Sequence, residues 1–221
     1  MYIDGRKVAE EIQEDLKERA LHAPVPISLA IVCMGEDPAT THFMAAKKKF
    51  GIAVGISVVI EKADIKESTK DIVHRIISLS QIHRAIIVQL PLPAHIDTDL
   101  VLAAIPPRAD VDVLSLATKR DVKNGTSTFV PPVLGAIRKI FGSARVSLSG
   151  KRVVVIGQGR LVGIPVSEWL TQEGISHEVI TKDTSNAADI IQNADVVITG
   201  IGVPRYITPG MTKDGVVLID A

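Results

Sequence analysis

The residues best able to do chemistry in this chain fall into a few short segments. Gly157-Gln158-Gly159-Arg160-Leu161-Val162-Gly163-Ile164-Pro165 follows the apolar run Arg152 to Ile156. A strand, a glycine-rich turn and a helix in that order let backbone N–H groups approach a pyrophosphate, and the helix N-terminus adds partial positive charge. The third glycine comes one position later than in G-x-G-x-x-G, so a plain tight turn competes with this reading. His177-Glu178-Val179-Ile180 then ends at Thr181-Lys182-Asp183-Thr184, where a dinucleotide fold reads the adenosine ribose. An acid there suits the free 2′-hydroxyl of NAD and a cation suits the 2′-phosphate of NADP. Lys182 and Asp183 are adjacent and point both ways. Gly200-Ile201-Gly202 follows a further apolar run, at the strand edge where open α/β sheets bind ligands.

The first half offers Lys47-Lys48-Lys49, Gln89 inside Val88-Gln89-Leu90-Pro91-Leu92-Pro93, and the pair Asp110 and Asp112. On residue type alone the lysine run reads as a solvated helix face. Gln89 reads as a sheet-edge cap. Asp110 and Asp112 alternate on an extended segment, so one is expected to face a cleft and the other to cap a helix over 115–120. Cys33 lies in an apolar run and reads as core filling. His42, His74 and His83 read as surface or helix-face residues.

The elements that must position these groups alternate regularly. Val8, Ile12, Leu16 and Ala20 predict a helix over 7–21. Strands are expected at 27–34, 54–60 and 85–90, with helices at 38–50, 66–80 and 97–105, Gly51 serving as the C-cap of the second. That order implies a parallel sheet with helices on its faces. After a proline-marked stretch, 106–131, a connector helix is expected near 133–141. The pattern then restarts: strands at 152–156, 177–181, 195–199 and 215–220, helices at 162–173 and 186–192. The fold class is α/β with two domains, 1–142 including the connector helix and 143–221 as a Rossmann-like unit.

Composition sets outer limits. The 221 residues are 46% hydrophobic, with 25 Lys+Arg against 25 Asp+Glu. Zero net charge and 3% aromatic content argue against a nucleic-acid partner. One cysteine excludes an internal disulfide and a multi-cysteine zinc site, so a reducing cytoplasm is the expected compartment, with no metal. No run approaches the roughly 18 to 20 apolar residues that span a bilayer, so no membrane partner is expected.

Read together, Gly35-Glu36-Asp37-Pro38-Ala39-Thr40 before Phe43 and Lys47, the V-Q-L-P-L-P segment, Asp110-Val111-Asp112 and the glycine loop resemble the bifunctional methylenetetrahydrofolate dehydrogenase/methenyltetrahydrofolate cyclohydrolase family. The likeness runs from about residue 3 to the last residue, and V-Q-L-P-L-P ahead of D-V-D is its most specific part. It implies an N-terminal α/β catalytic domain and a Rossmann-like cofactor domain. By resemblance Lys47 falls on the catalytic lysine, Gln89 on its neighbouring glutamine and Asp112 on the aspartate that holds the pterin. Phe43 takes the place of the family's tyrosine and can still stack on a flat folate, without the hydroxyl. Gly157, Val162, Gly163 and Pro165 fall on the cofactor loop, where Gln158 and Gly159 replace Arg-Ser; Arg160 or Lys182 could compensate, with Gly200 nearby. Ala109 and Val113 also depart from the pattern around D-V-D.

The resemblance implies NADP or NAD as cofactor, tetrahydrofolate derivatives as substrates and a homodimer. The expected reaction is oxidation of 5,10-methylenetetrahydrofolate and hydrolysis of the methenyl product to 10-formyltetrahydrofolate, in a cleft between the domains. The lysine, in a partly apolar cleft, would pass protons near neutral pH. A dehydrogenase with weak hydrolysis, or a binding module without turnover, are the alternatives. Family members continue past the position of Ala221 with P-G-G-V-G-P-x-T and a final helix, so the second domain is expected to be C-terminally incomplete.

Overall fold

The computed structural model describes residues 3–35 and 38–221. The chain forms two compact units, Met1–Val130 and Pro131–Ala221.

In the first unit the four-residue apolar spacing folds as α1 (Gly5–Leu21), capped where Asp4 accepts the Arg6 N–H at 3.0 Å. The strands β1 (Ser28–Met34), β2 (Ser57–Ala63) and β3 (Ala85–Val88) pair in parallel in the order β2-β1-β3. In register, Ala30 lies between Val59 and Ile86, and Val32 between Glu61 and Val88. On one sheet face Ala30, Val32, Ile86 and Val88 pack with Ile72, Ile76 and Leu79 of α3 (Thr69–Ile82) and with Val101 and Leu102 of α4 (Thr98–Ala103). On the other, Ile31, Cys33 and Ile87 meet Met44 of α2 (Pro38–Ala53). Each Val, Leu, Ile or Met side chain among these contributes about 1.5–3 kcal/mol on burial. Cys33 is therefore core filling, fully buried.

The second strand lies at 57–63, three residues later than the apolar run at 54–60 predicts. Gly51 does not end α2. It sits inside the helix because a Cβ there would collide with the Val58 side chain, so glycine permits helix and strand to touch. The C-terminal turn is made instead by Gly55, at φ +82°, whose N–H donates to the Ile52 carbonyl at 3.1 Å. After α4 comes a short 3-10 turn, Pro107–Ala109, and then α5 (Leu116–Lys123).

The second unit holds α6 (Pro132–Ser143), β4 (Val153–Ile156), α7 (Gly163–Gln172), β5 (His177–Ile180), α8 (Ala187–Asn193), β6 (Val196–Thr199) and β7 (Val217–Asp220). Its sheet is parallel throughout, in the order β5-β4-β6-β7. The boundary falls at 130/131 and not at 142/143. The reason is packing: Ile137 and Phe141 of α6 are buried with Val153, Val155, Val166 and Leu170, so this helix belongs to the second core. Val154, Ile156 and Val197 face the other way, onto Ile191 of α8. Among the described residues no helix is long and apolar enough to cross a membrane.

Candidate active site

Helix α2 carries Phe43 and Lys47 one turn apart, which places them on neighbouring surface of one helix face. Met44 anchors the helix in the core at 3% exposure. Lys47 is partly buried, whereas Lys48 and Lys49 are exposed, so burial singles out one lysine of the three. Phe43 is 61% exposed, which excludes it from the core and leaves its ring open to a flat ligand. Glu36 and Asp37, in the segment leading into this helix, lie outside the described residues.

Gln89 directly follows β3, and its backbone N–H continues the ladder by donating to the Val32 carbonyl at 2.8 Å. Its side-chain amide donates to the Leu90 carbonyl at 3.0 Å. That bond turns the amide oxygen toward Lys47, whose Nζ donates to it at 3.3 Å across 42 positions of sequence. Asp110 and Asp112 lie on a turn, not an extended segment, and differ in burial and partners; the N-cap of α5 is Ser115. Asp110 is fully buried and receives the N–H groups that lead into α5, while Asp112 is partly buried. Burial raises the Asp112 carboxyl above its usual value, the Lys47 ammonium draws it down, and Asp110 raises it further. Lys47, Gln89 and Asp112 thus form one electrostatic group, with Phe43 on the same helix as the lysine.

In the second unit the glycine loop joins β4 to α7. Gly157 has φ +91°, and a Cβ there would lie 2.6 Å from the Ile201 side chain. A Cβ on Gly163 would strike the Gly157 carbonyl, and one on Gly200 would lie 2.6 Å from Val162 Cγ1. Three glycines therefore draw strand, turn, helix and the end of β6 together. Gly159 has nothing within 4 Å of its would-be Cβ, so steric need does not explain it. Val162, Gly163 and Pro165 are buried.

A dinucleotide fits this edge on two observations. Helix α7 opens without a side-chain cap, and beside it Gly159 has open space where a Cβ would stand. The Thr199 hydroxyl, at the carboxyl end of β6 beside Gly200, is buried with no hydrogen-bond partner. Sequence reading passed over Thr199, because a threonine closing an apolar run gives no signal of an orphaned hydroxyl. Gln158 is exposed, its amide donating to Gly157 O and Ser167 Oγ, both at 3.3 Å. Arg160 is partly buried and engaged in an interaction of its own. Lys182 and Asp183 are both exposed after β5, in a turn closed by Thr184 Oγ1 accepting the Thr181 N–H at 3.0 Å. Lys182 and Gly200 stand on opposite sides of β4, so the sheet order separates those two positions.

Among the described residues no group of three or more His, Cys, Asp or Glu could hold a metal ion.

Comparison with known proteins agrees with both units. Residues 3–112 match the model of the tetrahydrofolate dehydrogenase/cyclohydrolase catalytic domain, and residues 131–221 match that of the family's NAD(P)-binding domain. The bifunctional protein FolD of Campylobacter concisus is 33% identical over 99% of this chain and 79% of its own length. The crystal structure of the bifunctional FolD enzyme from Campylobacter jejuni superposes with a TM-score of 0.91 at 27% identity, covering 97% of this chain and 78% of that one. The Trypanosoma brucei methylenetetrahydrofolate dehydrogenase-cyclohydrolase, solved with NADP and an inhibitor, gives 0.92 at 27% identity, covering 99% and 77%. Two domain models in the right order, over folds that place a lysine–glutamine–aspartate group in one unit and a glycine loop in the other, make this chain a member of the tetrahydrofolate dehydrogenase/cyclohydrolase family.

Proposed function

We propose that the chain oxidises 5,10-methylenetetrahydrofolate and hydrolyses the methenyl product to 10-formyltetrahydrofolate, a pair of steps in folate one-carbon metabolism. The observation that carries this reading is the Lys47–Gln89 hydrogen bond, at 3.3 Å, with Asp112 electrostatically coupled to the same lysine. The first step transfers a hydride from the one-carbon bridge, and bound NADP supplies the nicotinamide that accepts it. This step calls for positioning and no side-chain nucleophile. Asp112 is assigned to the nitrogen-rich edge of the pterin and Phe43 to stacking on its face. In the second step water adds to the methenyl carbon, loses protons, and the bond to N5 breaks as N5 takes a proton. Lys47 is placed to move those protons, and Gln89 holds its Nζ in place.

Gly157, Gly159, Val162, Gly163, Pro165 and Gly200 are proposed to shape the dinucleotide cradle, with Gln158, Arg160 and Lys182 toward its ribose phosphates. NADP is preferred over NAD because Lys182 offers a cation at the ribose-reading position and the trypanosomal relative was solved with NADP. The resemblance supports a homodimer, which sedimentation of the purified protein checks, and the composition favours the cytoplasm without nucleic-acid or membrane partners.

The test is an assay of reduction with NADP and with NAD, followed by decay of the methenyl absorbance. Lys47→Ala should slow hydrolysis by about 100-fold or more, the usual share of a proton-transfer group. Undiminished hydrolysis in that variant sinks the lysine's role. Phe43, exposed on the lysine's helix and lacking a hydroxyl, favours a second reading in which oxidation is retained and hydrolysis is weak. Phe43→Tyr would then speed hydrolysis and leave oxidation unchanged.

A further inference from the structure

Among the described residues Asp110 is the only charged side chain classed as buried, with no exposed surface at all. A carboxylate in that position must be compensated by hydrogen bonds. Its Oδ1 accepts the Leu114 N–H at 3.2 Å and its Oδ2 the Ser115 N–H at 2.9 Å. Ser115 is the N-cap of α5 and accepts the Thr118 N–H at 3.2 Å, so the carboxylate lies at the entry to that helix. The Asp110 backbone is fixed as well. Its N–H donates to the Pro106 carbonyl at 3.1 Å, its carbonyl accepts the Val113 N–H at 3.2 Å, and it forms a parallel bridge with Ile86 of β3.

Between these ties the chain reverses at Val113, which holds φ +55°. A β-branched residue adopts that left-handed conformation only where its surroundings force it. Val113 is 3% exposed, so its packed side chain holds the reversal from within. Asp112 occupies the middle of this closed turn and takes no part in the bonds that close it. The strand bridged by Asp110 is the one that delivers Gln89 three residues after Ile86.

We propose that Asp110 is a positioning residue of the active site: its buried carboxylate ties the 110–115 turn shut and thereby presents Asp112 to Lys47 and Gln89. The consequence for catalysis rests on the folate-binding role assigned to Asp112 above. The charged groups acting on Asp112 are Lys47, from α2, and Asp110, from its own segment; Gln89, from the end of β3, is neutral. Asp110 therefore acts on Asp112 twice, through the shape of the turn and through its fixed negative charge.

The test is Asp110→Asn in protein carrying ¹³C-labelled aspartate, with the Asp112 resonance assigned by its loss in Asp112→Asn. The titration midpoint of Asp112, raised in the unmutated protein, should fall in Asp110→Asn. The KM for methylenetetrahydrofolate should rise about tenfold while the KM for NADP and the circular dichroism spectrum stay the same. An unchanged midpoint in a folded variant overturns the proposal, whether or not KM moves, because a carboxylate that only steadies α5 would leave Asp112 untouched. A fallen midpoint with an unchanged folate KM upholds the hold on Asp112 and removes instead the folate role given to it. Should Asp110→Asn fail to fold, amide exchange in the unmutated protein decides. Slow exchange at both Leu114 and Ser115 supports the tie, and exchange as fast as in an exposed loop overturns it.

Discussion

Asp112 pulls stability and function in opposite directions. Its carboxyl is raised in the folded chain, chiefly by burial, so the fold holds that proton more tightly than the unfolded chain does. The stabilisation is complete below the unfolded value near 3.8 and is lost as pH rises through the folded value. At neutral pH the ionised group therefore works against folding. Asp112→Asn should raise the melting temperature at pH 7, a gain that vanishes under acid conditions, while folate turnover falls. Melting curves at pH 3 and pH 7 check the sign. Asp110 and Asp112 could be told apart only through the family resemblance, because period-2 alternation puts both on one face and the 110–113 turn that separates them depends on contacts outside it. By residue type alone Lys47 could not be separated from Lys48 and Lys49, and only the family resemblance singled it out, because the choice depends on Gln89, 42 positions away, and on burial that helical spacing does not fix.

At the scale of elements, caps and close approaches set what can be changed. Helix α3 opens with a full capping box, Ser68 accepting the Asp71 N–H while Asp71 accepts the Ser68 N–H at 2.9 Å. Ser68→Ala should cost about 1 kcal/mol, read as a lower urea midpoint. Gly163→Ala drives a methyl into the Gly157 carbonyl and should cost about 1–3 kcal/mol as well as weakening NADP binding, measured by calorimetry. The order and type of the elements were legible because short continuous apolar runs, buried as strands, alternate with longer segments of helical apolar spacing. Two boundaries were not. Gly51 reads as a helix stop from sequence, yet its role is contact with Val58, and contact is a tertiary fact. Helix 132–143 reads as a connector until Ile137 and Phe141 are seen inside the second core.

Across the whole molecule three carboxylates shift in the opposite direction to Asp112 and so contribute to stability on the acid side. Arg75 holds Glu67 below its usual value through a 2.7 Å ion pair, and Ser68 does the same for Asp71 through its hydroxyl and N–H. In the second unit Lys213, at 2.7 Å, lowers Asp195, helped by the Arg152 N–H. Stability from all three is present above their unfolded values of 4.5 for Glu67 and 3.8 for the aspartates, and is lost as pH falls through the folded ones. Removing the second-unit pair by Lys213→Ala should move the acid-unfolding midpoint to higher pH. A midpoint unmoved by that change would mean the first unit sets the acid limit.

Phe43 and Gln158, two of the places where this chain departs from the family pattern, are both exposed. Neither belongs to any buried cluster. Substitution there takes no side chain out of either core. Such positions can drift under selection for turnover, and a screen by thermal melting would pass most variants other than proline, active or dead. Only a substrate can tell those variants apart.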